Sequence, residues 1–136
     1  MDILLVDDDA IDRELFIDAI NLVGKSYNVI EAENGEKAID YLNAAHKLPQ
    51  LVILDLNMPV KDGRATLHEI KTHKFFRSIP VCIMSTSSAP FDISHAYENG
   101  ANLFLVKPLD FKLLIEMLSS LLTLFNKYVT LPNKIL

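Results

Sequence analysis

The sequence predicts an α/β domain in which helices cover both faces of a doubly wound, five-stranded parallel sheet. Two observations predict this class. Short apolar runs alternate with segments of helical periodicity along the whole chain, as in βα units joined by right-handed crossovers. The apolar runs are continuous rather than alternating, which is typical of strands buried on both faces. The expected strand order is 2-1-3-4-5, the natural order for a small doubly wound sheet.

Each predicted strand is a short apolar run bounded by a turn residue or a polar residue. Pro80 introduces the fourth run, and Asp55 ends the third. The predicted strands cover residues 3–6, 27–32, 51–54, 81–84 and 103–106. Their length fits strands of a compact sheet rather than helices, which need ten or more residues of regular spacing.

Five segments of helical spacing follow these strands in turn. Their starts carry the polar and glycine residues that are common at helix N-termini and in turns. The predicted helices begin at Asp9, after Asn34-Gly35, near Arg64 after the Asp62-Gly63 turn, near Asp92 and after Asp110. They end near residues 23, 45, 73, 99 and 126. We therefore expect one domain over residues 1–126 and a C-terminal tail over residues 127–136.

Composition narrows the function classes. The chain has 136 residues, which suits one domain, and a net charge of −5, which argues against general nucleic-acid binding. Glu116, Ser119 and Ser120 interrupt the longest apolar segment, so we expect no membrane span. The single cysteine, Cys82, lies in an apolar run and suits a reducing compartment. A cytoplasmic protein is expected.

Polar side chains follow four of the predicted strands. Asp7 and Asp8 end the first strand, Asp55 the third and Ser85 the fourth, and Lys107 follows the fifth. Parallel strands gather their carboxyl ends at one edge, where such sheets bind ligands. Carboxylates that crowd together repel one another unless a cation lies between them, and Mg²⁺ prefers such oxygen ligands. A lysine and a hydroxyl beside that cation suit a transferring phosphoryl group.

Each of these residues also has a simpler interpretation. Acidic residues stabilise helix N-termini, and Asp is common in strand-end turns. Capping remains the favoured role for Asp9. The simpler interpretations do not explain why all the other residues fall at the same end of one sheet.

The motifs around these residues resemble the receiver domain of two-component response regulators. The matching segments are residues 3–8, Asp55-Leu-Asn-Met-Pro with the following Asp62-Gly63, residues 80–85, and Gly100-Ala101 through Lys107-Pro108. The resemblance implies a flavodoxin-like (βα)5 fold. It also implies a signalling protein that accepts a phosphoryl group on Asp55 from a sensor histidine kinase or a histidine phosphotransfer protein. Such a receiver catalyses its own phosphorylation and slow dephosphorylation, and it passes the signal to a downstream protein target.

The resemblance further implies a role for each site residue. Asp8, Asp55 and the backbone carbonyl of Asn57 would bind Mg²⁺ or Mn²⁺, and Asp7 would bind it through water. Lys107 would pair with the phosphoryl oxygens. Ser85 and Phe104 occupy the two switch positions, and Phe104 lacks the hydroxyl that many receivers carry there. Thr86, Asn57 and Ser87 would lie next to the phosphoryl group; neither Asn57 nor Ser87 is a good general base, which suggests a phosphoryl lifetime that is not especially short.

Three features resemble a subgroup of the family: the long spacing between Asp8 and Asp55, the Asp9 extension, and the stretch from Asp92 to Asn102. They are similar to stand-alone receivers of the chemotaxis-regulator and phytochrome-associated kinds. Such receivers signal through changes in protein–protein contacts.

The last predicted helix carries an apolar surface wider than the roughly 100° arc of an ordinary surface helix. One stripe consists of Phe111, Leu114, Ile115, Leu118, Leu121, Leu122 and Phe125, and a second of Leu113, Met117, Leu124 and Tyr128. Either the tail over residues 130–136 folds back over the second stripe, or the stripe is an interface, which could be that of a homodimer. The interface is the favoured alternative, because Pro132 and Asn133 weaken a helical continuation.

Two other function classes compete with a receiver. A phosphatase of the haloacid-dehalogenase kind uses similar residues, but its nucleophile precedes its acidic pair, the reverse of the order here. A binding module that takes no phosphate would not need the complete acceptor set. The four histidines, His46, His68, His73 and His95, show no metal-ligand spacing and are expected at the surface. The basic run Lys71, His73, Lys74 and Arg77 is expected to be a solvated face.

Overall fold

The computed structural model describes residues 1–132 and has the predicted sheet. The strands are β1 (Asp2–Val6), β2 (Asn28–Ala32), β3 (Leu51–Leu54), β4 (Val81–Ser85) and β5 (Leu103–Val106). All neighbouring strands pair in parallel, in the order β2-β1-β3-β4-β5. The doubly wound, flavodoxin-like prediction is therefore confirmed.

Five helices alternate with these strands. They are α1 (Ala10–Val23), α2 (Gly35–Ala44), α3 (Gly63–Thr72), α4 (Pro90–Glu98) and α5 (Phe111–Lys127). Most bounds lie within one or two residues of the prediction. The start of α4 was placed too late, because Pro90 already belongs to the helix: proline lacks only an N–H that the first turn leaves free.

Side chains alternate between two cores, one on each face of the sheet. Leu4, Val6, Val52 and Leu54 pack with residues of α2, α3 and α4. Ile3, Leu5, Leu51 and Ile53 pack with residues of α1 and α5. Burial of every strand residue from 3 to 6 and from 51 to 54 explains the continuous apolar runs.

Polar side chains fix the starts of four helices. Asp9 accepts hydrogen bonds from the amides of Ile11 and Asp12, as expected of a cap. Asn34, Asp62 and Asp110 cap α2, α3 and α5 in the same way. Within residues 1–132, no helix is both apolar enough and long enough to cross a lipid bilayer.

The prediction of a solvated basic run is wrong at Lys71. Its ammonium donates hydrogen bonds to the carbonyls of Arg77 and Ile79, at 3.2 and 2.7 Å, and to Asn102 Oδ1 at 2.9 Å. Burial lowers the pKa of Lys71. Lys71 therefore joins α3 to the turns that enter β4 and β5.

His73 also has a structural role. Its Nδ1 accepts hydrogen bonds from the amides of Phe75 and Phe76, and its ring stacks on Phe76 at 3.7 Å between centroids. It closes the turn that follows α3.

Candidate metal and phosphoacceptor site

The sheet register brings Asp7 and Asp55 together. Val6 of β1 pairs with Leu54 of β3, so the next residue on each strand is an aspartate at the carboxyl edge. The amide of Asp55 donates to the Val6 carbonyl at 3.0 Å, which continues the ladder by one step. Asp8 follows on the β1–α1 loop, and one carboxylate oxygen from each of Asp7, Asp8 and Asp55 lies within 4.8 Å of the other two.

This cluster fits a divalent cation of the Mg²⁺ or Mn²⁺ kind. All three donors are hard oxygens, and they lie at one point of the sheet edge. Asp7 is buried, Asp55 is partly buried and Asp8 is exposed. A cation here would touch protein on one side and water on the other, as Mg²⁺ does when it retains part of its hydration shell. Asn57, predicted to add its carbonyl, lies two residues beyond Asp55 and is exposed.

Asp7 is the most tightly fixed member of the cluster. Its Oδ1 accepts from the amide of Asp9 at 2.9 Å, and its Oδ2 accepts from Lys107 Nζ at 2.9 Å. The guanidinium of Arg13 donates to the Asp7 backbone carbonyl at 2.6 Å and is itself paired with Glu31. These contacts give the polar atoms of the buried Asp7 the hydrogen-bond partners that burial would otherwise deny them.

Lys107 provides the positive charge of the site. Besides Asp7, its Nζ lies 3.7 Å from Asp55 Oδ2 and 3.6 Å from Asp12 Oδ2. Its own amide donates to the Ser85 carbonyl at 2.7 Å, which fixes the β5–α5 loop against β4. Burial pulls the pKa of Lys107 down, but the hydrogen bond to Asp7 and the charges of Asp55, Asp7 and Asp12 together raise it. Lys107 is therefore charged at neutral pH.

The surroundings of Asp55 on balance disfavour its charged form. Burial raises the pKa of the Asp55 carboxyl, and the charge of Asp7 adds to this rise. Lys107 and the amides of Asn57 and Leu56 oppose it. A carboxylate held at the surface end of a strand, close to a lysine and only partly desolvated, is suited to act as a nucleophile.

Gly63 explains why the Asp-Gly pair follows Asp55. A Cβ built at Gly63 would lie 2.6 Å from Leu56 Cα and still closer to the Asp55 carbonyl oxygen. The Gly63 amide donates to the Leu56 carbonyl at 2.8 Å. Only glycine therefore lets α3 begin directly against Asp55.

The residues at the predicted switch positions, Ser85 and Phe104, lie on β4 and β5. Ser85 ends β4, is buried, and accepts a hydrogen bond from the Ser87 amide at 3.1 Å. Thr86 is exposed. The hydroxyl of Ser87 donates to Asp92 Oδ2 at 2.6 Å, so it is held towards α4. The roles of Thr86, Ser87 and Asn57 beside a phosphoryl group stay predictions.

Phe104 lies on β5, partly buried against the core beneath α3 and α4. Its amide donates to the phenol oxygen of Tyr97 on α4 at 3.0 Å. The Phe104 side chain carries no hydroxyl, but the Tyr97 hydroxyl of α4 binds the Phe104 backbone amide. No sequence motif indicates this contact.

Two other site residues were missed. Asp12 was not predicted to belong to the site, yet its carboxylate lies 3.6 Å from Lys107 Nζ. Its place in the first turn of α1, directly after the strand-end aspartates, could have indicated a position near this edge of the sheet. Arg13 was not singled out, and a lone arginine in a helix gives no signal for the backbone contact that it makes with Asp7.

Known proteins show the same fold and motifs. The chain matches the model of the response regulator receiver domain over residues 3–119. It is 33% identical over 135 residues to the response regulator Rcp1 of Synechocystis, covering 96% of this chain and 92% of Rcp1.

Two solved structures are also similar. The phosphorylated cyanobacterial phytochrome response regulator RcpA superposes with a TM-score of 0.89 at 32% identity, covering 97% of this chain and 98% of that one. The Mn²⁺-bound form of Rcp1 superposes with a TM-score of 0.86 at 32% identity, covering 96% of this chain and 98% of that one. A metal-bound relative agrees with the acidic cluster described above. The chain is therefore a signalling protein that belongs to the response regulator receiver domain family.

Proposed function

We propose that this protein takes a phosphoryl group onto Asp55 and signals through the resulting change in its protein–protein contacts. The observation that carries the proposal is the position of Lys107, whose ammonium reaches Asp7, Asp12 and Asp55 beside the three-carboxylate cluster. The donor is the phosphohistidine of a sensor histidine kinase or a histidine phosphotransfer protein. Similarity to a phytochrome response regulator supports a sensor kinase as the donor class.

The transfer is a direct displacement at phosphorus. An oxygen of the Asp55 carboxylate forms the new P–O bond as the P–N bond to the donor histidine breaks, and the imidazole leaves with the electron pair and takes up a proton. Lys107 Nζ is close enough to turn from the Asp55 carboxylate to the phosphoryl oxygens while its hydrogen bond to Asp7 holds it in place. A Mg²⁺ ion held by Asp8, Asp55 and the Asn57 carbonyl, and by Asp7 through water, would add positive charge beside the phosphoryl group.

The conformational change that follows phosphorylation involves Ser85 and Phe104. A phosphoryl group adds about 1.5 to 2 negative charges and strong hydrogen-bond acceptors. The Ser85 hydroxyl turns to donate to a phosphoryl oxygen, and Phe104 moves further into the space that it leaves. Because Phe104 has no hydroxyl, its burial leaves no polar atom of its side chain unsatisfied.

The surroundings of the site support a protein as donor. Ile11 and Leu15 on α1 are 69% and 42% exposed, and Leu109, two residues after Lys107, is fully exposed. Exposed apolar side chains on the elements that carry the acidic cluster suit the docking of a protein helix better than they suit a small phosphorylated metabolite.

We also propose a homodimer through the second stripe of α5. Leu113, Leu124 and Tyr128 of this stripe are exposed. The tail as far as Pro132 instead borders a cleft of about 330 Å³ with Met1 and the loops that precede β3 and β4. The part of the tail within residues 130–132 thus gives no support to the covering alternative; residues 133–136 lie outside the described chain.

The proposed function is tested by labelling with a small phosphodonor such as acetyl phosphate in the presence of Mg²⁺. We expect the parent to gain one phosphoryl group and Asp55→Asn to gain none, with Asp9→Asn as a control that keeps its helix cap. Undiminished labelling of Asp55→Asn would rule out the assignment. Rapid, repeated turnover of a generic phosphate ester would instead favour a phosphatase.

A further inference from the structure

Helix α4 is weakly anchored by apolar packing. Of its residues, all of which lie in the described chain, only Ala96 is buried. The N-cap residue of α4 is Ala89, whose side chain cannot form a capping hydrogen bond. An element with little burial depends on its polar contacts for its position and opens at a low free energy.

Polar contacts hold the N-terminal end of α4. Asp92, in the first turn, accepts from Arg64 Nη2 of α3 at 3.1 Å and from the Ser87 hydroxyl at 2.6 Å. Ser87 Oγ also accepts from the Ala89 amide at 3.2 Å. The pKa of Asp92 is lowered by its hydrogen bond with Ser87 and by Arg64, which shows that these contacts favour its charged form.

The same contacts extend to the switch hydroxyl. Ser87 donates its amide to Ser85 Oγ at 3.1 Å while its hydroxyl is bound to Asp92. Ser87 therefore connects the end of β4 with the start of α4. Arg64 lies next to Gly63, whose backbone touches that of Asp55 and Leu56. Two routes of contacts thus reach Asp92 of α4. One leads from Asp55 through Gly63 and Arg64, and the other from Ser85 through Ser87.

A rotation of Ser85 towards a phosphoryl group would remove its oxygen from the Ser87 amide. Ser87 would then lose the hydrogen bond that holds its backbone, and its hydroxyl could no longer hold Asp92 in the same place. The Arg64–Asp92 pair opposes this rearrangement, because it joins Asp92 to α3.

We propose that Arg64 and Asp92 form a latch that holds α4 in the unphosphorylated position, and that Ser87 couples this latch to Ser85. The proposal rests on the proposed function, and it adds three positioning residues to the site. Opening of the latch would accompany phosphorylation, so a variant without the latch should reach the phosphorylated conformation more easily.

The test is the affinity for beryllofluoride, a phosphoryl analogue that needs no phosphodonor, measured in Mg²⁺ by titration of backbone amide resonances. We expect Asp92→Asn and Arg64→Gln each to tighten apparent binding by about two- to fivefold, the range that an exposed ion pair supports. The double variant should bind no more tightly than Asp92→Asn alone, because Asp92→Asn already removes the ion pair that Arg64→Gln removes.

Glu69→Gln is the matched control. It removes the Lys61–Glu69 ion pair, which lies on α3 and its preceding loop and does not reach α4. We expect its affinity to equal that of the parent. Parent-like or weaker binding by both Asp92→Asn and Arg64→Gln would overturn the latch alone. Failure of the parent itself to bind beryllofluoride with Mg²⁺ would overturn the proposed function, and the latch with it.

Discussion

At the scale of single residues, the site is a balance between one ammonium and four carboxylates. Lys107 lies within 4 Å of Asp7, Asp12 and Asp55, while Asp8 faces water. The pKa of Asp55 is raised chiefly because burial penalises its charged form; the charge of Asp7 adds to the rise, and Lys107 opposes it. The electrostatic strain of the free protein is thus located on the proposed nucleophile.

This strain predicts a pH dependence of stability. A carboxyl with a higher pKa in the folded than in the unfolded chain destabilises the fold when it is charged. This destabilisation is absent below 3.8, the ordinary pKa of the carboxyl. It grows as the pH rises from 3.8 to the raised pKa of Asp55 in the folded protein. In metal-free buffer, the free energy of unfolding of the parent should therefore fall relative to that of Asp55→Asn as the pH rises from 3.8 towards neutrality.

Urea unfolding of both proteins at several pH values, with a chelator present, measures this difference. The raised pKa of Lys107 does not interfere, because its effect on stability changes only above the ordinary lysine value of 10.5. Parallel pH profiles for the parent and Asp55→Asn would contradict the account of the Asp55 carboxyl.

At the scale of elements, the loop between β3 and α3 holds two residues with opposite conformational demands. Val60 has a φ of 67°, a left-handed conformation that β-branched residues rarely adopt. Gly63 lies where any Cβ would collide with the backbone. Strain beside a functional residue persists when the surrounding structure holds it.

Substitutions at Val60 and Gly63 should change the free energy of unfolding in opposite directions. Val60→Gly relieves the left-handed strain and should stabilise the fold by about 1 kcal/mol. Gly63→Ala forces α3 away from Asp55 and should destabilise the fold by about 3 kcal/mol or more. Gly24→Ala is the control, since its Cβ would lie 3.3 Å from a movable Tyr27 ring. Urea unfolding measures all three; equal stability of Gly63→Ala and Gly24→Ala would refute the close approach.

The apolar face of α5 predicts self-association. Leu113→Asp/Met117→Lys places opposite charges on the second stripe and should convert a dimeric parent into a monomer, because desolvating those charges at an apolar interface is unfavourable. Sedimentation velocity of both proteins at the same concentrations reports the change. Leu22→Lys, on the exposed side of α1, serves as the control. A monomeric parent removes the dimer proposal.

Elements and strand-end residues could be predicted, whereas contacts between distant loops could not. Asp7, Asp8, Asp55 and Lys107 follow buried strands, and the parallel sheet alone brings such positions to one edge. Lys71 was misplaced because its acceptors are two backbone carbonyls and an amide 31 residues away. No side-chain pattern marks such acceptors. Tyr97 was missed for the same reason, since its partner is a backbone amide of β5.

At the scale of the whole molecule, metal binding and stability should be linked. A cation that binds the folded cluster and not the unfolded chain stabilises the fold by about 2.7 kcal/mol at a concentration of one hundred times its Kd. We expect Mg²⁺ to raise the midpoint of thermal unfolding of the parent, and Asp8→Asn to lose most of this gain. Asp9→Asn, one residue away and outside the cluster, should keep it. An equal Mg²⁺ response in Asp8→Asn and Asp9→Asn would contradict the assigned ligands.

The most direct test identifies the residue that carries the phosphoryl group. Borohydride reduces an aspartyl phosphate to homoserine, which changes the mass of one peptide. After labelling with acetyl phosphate and Mg²⁺, we predict homoserine at position 55 in the peptide that contains Leu54 and Leu56. Homoserine at Asp7, Asp8 or any other aspartate, or a phosphoryl group that survives on a hydroxyl or imidazole instead, would contradict the account.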